Sequence, residues 1–373
     1  MSGRASVRSC AGQVLVAGFP GVAPPEALLA AVRRGELGGI ILFRRNAETP
    51  VQAAELIERC TSQAPGGFPL LVAVDQEGGR VARFDAPMLR LPPMRALGLI
   101  GDLALTARAA RMLARQLAAM GFTMNMAPVL DVDTNPENPI IGDRSFGSTA
   151  ELVISQAAAF SDGLLSGGLL SCGKHFPGHG DTDEDSHLAL PRLGHPRQRL
   201  DAIELAPFRA AAGRIPALMT AHVVFEELDP GIPATLSRRV ITGLLRQELG
   251  YDGLVISDDL EMKAVSERWG IANAGVGAID AGCDLLLICS SVDDCFATHA
   301  ALVRRAEEDP VFEARLRDAA RRGLELRRRV SPRPSPKALQ VALEDPEVRI
   351  IEELMAAAEE KSGSGSEEDR DAC

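Results

Sequence analysis

Several apolar runs in this sequence end at or near a residue that can ionise, and these residues are the first candidates for chemistry. Polar side chains close five of the runs: Asp75, Asp131, Lys174 with His175, His222 and Asp258. Carboxylate, ammonium and imidazole groups can hold hydroxyl groups, transfer protons or supply a nucleophile. One such residue could simply be solvated, but five at equivalent ends of parallel strands would meet in one place. The pattern therefore predicts a polar site at the strand ends.

A second candidate is the segment KHFPGHGDTDEDSH, which starts at Lys174 and holds three of the six histidines. Its glycines and Pro177 indicate a loop that brings backbone close to a ligand. His187 follows Asp185 by two residues, so the carboxylate could orient the ring and make it more basic, as general acid/base work requires. The segment could also bind a metal, but Cys₂His₂ and HExxH spacings are missing, and we expect no metal and no cofactor.

The elements that would position these groups are eight short apolar runs separated by segments of helical character. The runs begin at Val14, Gly39, Leu70, Phe122, Leu169, Ala217, Gly253 and Leu285. Continuous aliphatic runs are typical of strands buried on both faces of a parallel sheet. Eight strand–helix units in about 300 residues predict an α/β fold, a (β/α)8 TIM-type barrel, with the polar strand ends at its catalytic mouth. The alternative is a doubly wound sheet, but the first strand lacks a GxGxxG sequence after it.

Composition changes towards the C-terminus of the 373-residue chain. We predict a catalytic barrel over residues 1–330, a Pro/Ser-rich linker over 331–342, and an acidic helix with a disordered tail over 343–373. The helix is expected from Leu343 to Glu360, and disorder from Lys361 onwards. The C-terminal part is thus predicted to be a helical and disordered extension of a single domain.

Charge, cysteine content and hydropathy narrow the partners and the compartment. The net charge of −11 argues against nucleic acid as a partner. The seven cysteines are odd in number and form no CxxC pair, which favours reduced thiols. The longest candidate leader, Val14–Phe19, is too short for a signal peptide, and no run approaches a membrane span. We therefore expect a cytoplasmic protein, monomeric and without a membrane partner.

Six motifs between Val14 and Ser291 resemble glycoside hydrolase family 3, and more narrowly its single-domain β-N-acetylglucosaminidase branch. They are DQEGGRVARF from Asp75, NPIIGDRSFG from Asn138, KHFPGHGDTDEDSH from Lys174, MTAHVVF from Met219, PATLS from Pro233 and GLVISDDLEM from Gly253. The long histidine-containing motif is specific to that branch, whereas the ISDD motif is shared more widely in the family.

The resemblance implies a retaining exo-β-N-acetylglucosaminidase and assigns roles to eight residues. It makes Asp258 the nucleophile, His187 the acid/base and Asp185 the residue that orients His187. The residues that it implies for binding the terminal sugar are Asp75, Arg83, Arg144, Lys174 and His175. It also implies that the substrate is a small glycan or muropeptide bearing 1,6-anhydro-N-acetylmuramic acid, and that the enzyme acts in peptidoglycan recycling in a bacterial cytoplasm.

Three other functions stay open at this point. A β-glucosidase or xylosidase of the same family would usually carry its acid/base Glu on a second domain, for which we expect no room here. A phosphorylase is possible because a histidine base does not repel phosphate as a carboxylate would. An inactive sugar-binding barrel is the alternative outside catalysis, and the presence of both Asp258 and the Asp185/His187 pair argues against it.

Some neighbouring polar residues have a structural interpretation instead. Asp259 should point to the opposite face of its strand from Asp258. Glu77 is assigned to the structure of its loop, and Arg144 could pair with Asp143 or Asp131 instead of binding sugar. His222 is as compatible with a core histidine as with a sugar contact.

Overall fold

Eight parallel strands form a closed barrel, as the sequence predicts. The computed structural model describes residues 6–183, 190–330 and 333–368, with side chains up to residue 358. The strands are β1 (Leu15–Ala17), β2 (Gly39–Leu42), β3 (Leu71–Val74), β4 (Met124–Asn125), β5 (Leu170–Phe176), β6 (Ala217–Thr220), β7 (Leu254–Asp259) and β8 (Leu285–Ile288). Each strand pairs with its neighbours in the sequence, and β1 pairs with β8. The TIM-type (β/α)8 barrel is confirmed.

The strands read as continuous apolar runs because both of their faces are buried. On β3, Leu71 and Ala73 pack inside the barrel with side chains from the other strands. Val72 and Val74 point the other way and pack in the layer between the barrel and the helices. Successive side chains thus alternate between the barrel interior and the layer beneath the helices, both of which are buried from solvent. The strand therefore has no polar face, which is typical of a parallel barrel.

Helices surround the barrel and follow the strands in the chain. They are α1 (Val7–Gln13), α2 (Glu26–Arg33), α3 (Pro50–Thr61), α4 (Met94–Ile100), α5 (Leu103–Met120), α6 (Ala150–Ser166), α7 (Arg197–Ala202), α8 (Ala206–Ala211), α9 (Lys263–Trp269), α10 (Ile271–Ala281), α11 (Val292–Glu308), α12 (Pro310–Arg327), α13 (Pro336–Leu343) and α14 (Glu347–Glu368). A π-helical segment spans Arg239–Glu248, and Arg192–Leu193 pairs with Val224–Phe225 in a small parallel sheet.

Local sequence signals set the ends of several of these helices. Thr49 and Gln52 form a capping box at the start of α3, in which the side chain of each residue accepts a hydrogen bond from the backbone amide of the other. Asp102 caps α5 by accepting from two backbone amides, and α5 ends at Gly121 with a φ of 100°. A glycine suits that last position because residues with a Cβ rarely adopt a positive φ.

The C-terminal extension differs from the predicted linker over 331–342. Within that range, α13 begins at Pro336 and is capped by the Ser335 hydroxyl, which accepts from the Ala338 amide. Leu339 and Ala342 are buried, and α13 packs against α5 and α3. Ser at the N-cap and Pro at the first helical position are signals that a helix begins. In this segment the same two residue types also indicated a linker, so the sequence analysis did not predict α13. The helix expected from 343 to 360 is divided: Leu343 is the last residue of α13, and α14 begins at Glu347 and continues to Glu368, past the predicted start of disorder.

The structure also describes the hydropathy of the helices and the burial of the cysteines. Among the helices that the structure describes, none has the length and apolar character needed to cross a membrane. The cysteines within the described residues are all buried: Cys10, Cys60, Cys172, Cys283, Cys289 and Cys295. Their thiols are therefore shielded from solvent.

Candidate active site

A pocket opens at the carboxyl end of the barrel strands and brings most of the predicted site residues together. Its walls come from the ends of β2, β3, β5, β7 and β8 and from the loop after β4. Six of the eight predicted residues line it: Asp75, Arg83, Arg144, Lys174, His175 and Asp258. The other two, Asp185 and His187, fall in 184–189, which lies outside the described residues.

One wall of the pocket is a chain of alternating charges that links the loop after β3, the loop after β4 and strand β5. The Lys174 Nζ donates to Asp75 Oδ1 at 2.9 Å and lies 2.6 Å from Glu77 Oε1. Arg144 donates to both Glu77 oxygens at 2.9 Å, and Arg83 Nη2 donates to Asp75 Oδ2 at 3.1 Å. Three cations thus alternate with two carboxylates, so each buried charge has a neighbour of opposite sign.

The charges in this network are stabilised by one another against the cost of burial. Burial disfavours ionisation of Asp75, but Lys174 and Arg83 outweigh it and hold the pKa of this carboxyl below its usual range. The same balance, with Arg144 and Lys174 as the cations, lowers the pKa of Glu77 strongly. Burial would lower the pKa of Lys174, but Asp75 and Glu77 raise it. Asp75, Glu77 and Lys174 are therefore charged at neutral pH, and the paired cations are held in place at the pocket wall.

Glu77 has a larger part in the site than the sequence analysis assigned to it. Its carboxylate is almost completely inaccessible, with 1% of the side chain exposed, and it contacts both Lys174 and Arg144. Arg144 had Asp143 or Asp131 as its alternative partners, but its ion pair is with Glu77, while Asp143 pairs with Arg80 at 3.1 Å. The spacing along the chain gave no sign of this, because Glu77 lies 67 residues before Arg144.

A buried carboxylate orients His175. Asp131 Oδ2 lies 2.7 Å from His175 Nδ1, and Asp131 also accepts from the backbone amides of His175 and His179. Burial opposes ionisation of Asp131, but His175 keeps the pKa of the Asp131 carboxyl low. Because an ionised carboxylate can only accept a hydrogen bond, the proton between the two groups lies on His175 Nδ1. The sequence singled out Asp131 only as a strand end, and its function as a support for His175 depends on the fold.

His179 is a further pocket residue that the sequence analysis did not assign. Burial, together with the neighbouring His175, lowers the pKa of its imidazole to about 4, so the ring is neutral at physiological pH. Its Nδ1 lies 2.8 Å from the hydroxyl of Thr182. The GHG sequence within the long histidine motif was the available signal.

Asp258 and Asp259 end β7, and both line the pocket. Burial disfavours the Asp258 carboxylate, but His222, His175 and the Asp259 amide lower its pKa, so it is anionic at neutral pH. Burial instead raises the pKa of Asp259 to about 7. Among the described residues, the Asp258 side chain accepts a hydrogen bond from the Asp259 amide at 2.8 Å.

Asp259 was expected on the opposite face of β7 from Asp258, yet both residues line the pocket, and a strand irregularity accounts for this. The Asp259 Oδ1 accepts from the amides of Glu261 and Cys289, as its structural interpretation would require. Between Ile256 and Asp259, β7 advances three residues while β8 advances two, from Leu285 to Leu287. Such a bulge breaks the alternation of side chains and aims two successive residues at one side. His222 supports this bulge as a buried core residue, with its Nε2 2.9 Å from the Asp259 carbonyl and its Nδ1 2.8 Å from Thr235 Oγ1.

A polar cluster joins the chain on either side of the segment that contains Asp185 and His187. Asp181, before the segment, accepts from the Thr134 hydroxyl at 2.7 Å and pairs with Arg199 at 2.9 Å. His195, after the segment, contacts the same carboxylate through Nε2. These contacts draw the two ends of the segment together beside the pocket, a link that the sequence analysis did not foresee.

Comparison with known proteins places this fold and site in a family. Residues 7–326 match the family described as "Glycosyl hydrolase family 3 N terminal domain". The chain is 42% identical over 287 residues to a β-hexosaminidase of Alkalilimnicola ehrlichii, covering 75% of this chain and 80% of that protein. It is 38% identical to a β-hexosaminidase of Pseudomonas aeruginosa, covering 77% and 85%.

Solved structures agree with this placement. A family 3 β-N-acetylglucosaminidase from Paenibacillus superposes with a TM-score of 0.84 at 40% identity, over 91% of this chain and 68% of that one. NagZ from Neisseria gonorrhoeae, in complex with N-trifluoroacetyl-D-glucosamine, gives a TM-score of 0.77 at 32% identity, over 92% and 97%. The chain belongs to glycosyl hydrolase family 3, and it is a glycoside hydrolase. The resemblance noted from its motifs is confirmed.

Proposed function

We propose that this glycoside hydrolase is a β-N-acetylhexosaminidase that removes terminal, non-reducing N-acetylglucosamine with retention of configuration. The observation that carries the proposal is the anionic Asp258 in a pocket that is also lined by cations paired with buried carboxylates. A retaining enzyme needs a carboxylate that attacks the anomeric carbon and hydrogen-bond donors that fix the sugar ring. The names of the relatives, β-hexosaminidase and β-N-acetylglucosaminidase, support the choice of sugar.

In the proposed reaction, the Asp258 carboxylate attacks the anomeric carbon and forms a covalent glycosyl-enzyme. His187, oriented by Asp185, donates a proton to the leaving oxygen and later removes one from the attacking water. Lys174, Arg83 and Arg144, together with Asp75 and His175, hold the ring hydroxyls. Because Asp75 and Glu77 already fix these cations, little reorganisation is needed when the sugar binds.

The natural substrate that we propose is a muropeptide carrying 1,6-anhydro-N-acetylmuramic acid after the terminal sugar. The enzyme would then act in peptidoglycan recycling in the bacterial cytoplasm, as a monomer and without a metal or other cofactor. Incubation with purified anhydro-muropeptides, followed by chromatography, should show release of free N-acetylglucosamine. Running the reaction in phosphate-free buffer separates hydrolysis from phosphorolysis, because a phosphorylase would be inactive there.

The choice of sugar is tested by comparing two chromogenic substrates. We expect the aryl β-N-acetylglucosaminide to be hydrolysed with a much higher kcat/KM than the aryl β-glucoside. An Asp258→Asn variant serves as the control for background hydrolysis. Equal or faster turnover of the glucoside would contradict the proposal and favour the β-glucosidase alternative.

A further inference from the structure

The loop after β3, residues 75–93, carries pocket residues on one side and contacts the C-terminal extension on the other. Asp75, Glu77 and Arg83 face the pocket from this β3 loop. Farther along the loop, Leu89 is buried and Arg90 is exposed. The backbone there contacts α5 and α14 through hydrogen bonds to their side chains. A cleft between the loop and α14 is lined by Phe84 and Leu91 on the loop side. On the other side it is lined by Glu352, Met355 and Ala356.

Gln116 connects the β3 loop to α13 through a buried amide. Its Oε1 accepts from the Leu89 amide at 2.9 Å, and its Nε2 donates to the Ala342 carbonyl, in the last turn of α13, at 3.1 Å. The Gln116 side chain is fully buried on α5. Because both ends of the amide are used, the position of α13 and the position of the loop backbone are set by the same group.

Glu352 makes the corresponding contact from α14. Its Oε1 accepts from the Arg90 amide at 3.2 Å. The helix is held in place beneath it: Val348, Ile351 and Met355 are buried in the main hydrophobic cluster. At the start of α14, Arg108 donates to Glu347 at 2.6 Å, and Arg115 pairs with Asp345 at 3.2 Å. Two successive loop amides therefore have acceptors linked to the C-terminal extension. The Leu89 amide is bound by Gln116, which also contacts α13, and the Arg90 amide is bound by Glu352 of α14.

Hydrogen bonds within the β3 loop connect the part that contacts the extension with the part that lines the pocket. Gln76 is buried, and its Oε1 accepts from the amides of Arg83 and Phe84 while its Nε2 donates to the Phe84 carbonyl. The Phe84 ring packs against Phe122 with 5.9 Å between ring centroids. Hydrogen bonds thus fix both ends of the backbone between Arg83 and Arg90. Gln76 binds the amides of Arg83 and Phe84, and Gln116 and Glu352 bind the amides of Leu89 and Arg90.

We propose that α13 and α14 position the β3 loop for sugar binding, with Gln116 and Glu352 as the positioning residues. The extension that follows the barrel is then a part of the active-site scaffold and not a passive tail. This inference rests on the proposed function, because it takes Asp75 and Arg83 to bind the substrate sugar. Loosening the loop should weaken ground-state and transition-state binding alike, which raises KM and leaves kcat nearly unchanged.

The test uses single substitutions in the full-length chain, assayed at 25 °C with whichever aryl glycoside the unmodified enzyme hydrolyses. Glu352→Ala should raise KM about fivefold, in line with the loss of one hydrogen bond to a charged acceptor. Glu352→Gln keeps an oxygen acceptor for the Arg90 amide and should restore KM to within about twofold. Arg349→Ala is the matched control, because Arg349 pairs with Glu353 on the solvent face of the same helix and should leave KM unchanged.

Two further measurements keep the outcome clear. Amide hydrogen exchange over residues 84–93 should be faster in Glu352→Ala than in the Arg349→Ala control, because the Arg90 amide loses its acceptor. Gln116→Met, which removes both hydrogen bonds at similar volume, should raise KM in the same way as Glu352→Ala if the variant folds. The proposal is overturned if Glu352→Ala lowers thermal stability but leaves KM unchanged, or if it changes kcat alone. Absence of N-acetylglucosaminide turnover by the unmodified enzyme would instead refute the proposed function.

Discussion

Replacing Glu77 by Gln tests whether the buried charge network holds the site together. The change removes one negative charge between Lys174 and Arg144, whose side chains are 3% and 11% exposed. Removing one partner of a buried ion pair typically costs about 3–5 kcal/mol, and the remaining Gln oxygen should reduce the loss to about 2–3 kcal/mol of unfolding free energy. Since both cations would also shift, we expect kcat/KM to fall by roughly tenfold to a hundredfold.

The same substitution makes a prediction about pH. Glu77 is one of the two carboxylates that raise the pKa of Lys174, so its removal should lower that pKa. The stability that the ammonium contributes is present at lower pH and is lost as pH rises through the native pKa of Lys174. In the proposed reaction, Lys174 binds the sugar as a cation, so activity should also fall when Lys174 loses its proton. The alkaline limb of the kcat/KM profile should therefore move to lower pH in Glu77→Gln.

Asp143→Asn is the matched control for this experiment. Asp143 is also a loop carboxylate paired with an arginine, but its pair with Arg80 is about half exposed on both sides. Exposed pairs contribute about 0–1 kcal/mol, so activity and the alkaline limb should stay close to those of the unmodified enzyme. Chemical denaturation and pH–rate profiles measure both effects. If Glu77→Gln is folded and keeps kcat/KM within about twofold, the network does not position the cations.

The remaining predictions concern the two aspartates on β7 and the segment outside the described residues. A slow 2-fluoro glycoside should label the peptide that contains Asp258, and a label on Asp75 or an inverted product would refute its assignment as nucleophile. His187→Ala should damage turnover of alkyl leaving groups far more than of dinitrophenyl ones, with partial rescue by azide; equal losses and no rescue would remove His187 as the acid/base. Asp259 should stay protonated in the native state up to about pH 7, whereas in the unfolded chain it ionises near 3.8. Because the native state then holds more protons, stability should fall as pH rises through this range. Asp259→Asn should cancel that fall and be more stable at pH 8 by about 2–4 kcal/mol, and an unchanged pH slope in thermal unfolding would contradict this.

The barrel could be predicted from the sequence because burial on both faces leaves a direct signature in each strand. The run starting at Leu70 is apolar at every position up to Val74, and the structure places Leu71–Val74 in β3. The polar residues that end such runs do converge, since parallel strands end at the same mouth. This reasoning located Asp75, Lys174 and Asp258 correctly in one pocket.

What the sequence could not provide are pairings between distant loops and departures from regular strand geometry. Lys174 and Glu77 are 97 residues apart, and only the closed barrel brings their side chains within 2.6 Å. The orientation of Asp259 depends on the extra residue that β7 inserts opposite β8. Helix α13 was missed for a different reason, because its Pro and Ser cap residues are also the residues that mark linkers.

The carboxylates of the pocket differ in what they contact, and this difference supports the proposed role of Asp258 as nucleophile. Asp75 and Glu77 each hold two cations, and Asp131 holds the His175 ring and two backbone amides. A carboxylate engaged in this way is a poor nucleophile, because its lone pairs are already directed at fixed donors. His222, His175, the Asp259 amide and Lys174 lower the pKa of Asp258 against the effect of burial, and within the described residues its side chain accepts only from the Asp259 amide. Asp258 also lines the pocket. The charge network engages Asp75 and Glu77, His175 engages Asp131, and burial favours the neutral form of Asp259. Among the described pocket residues, Asp258 is therefore the carboxylate that best fits the proposed role of nucleophile.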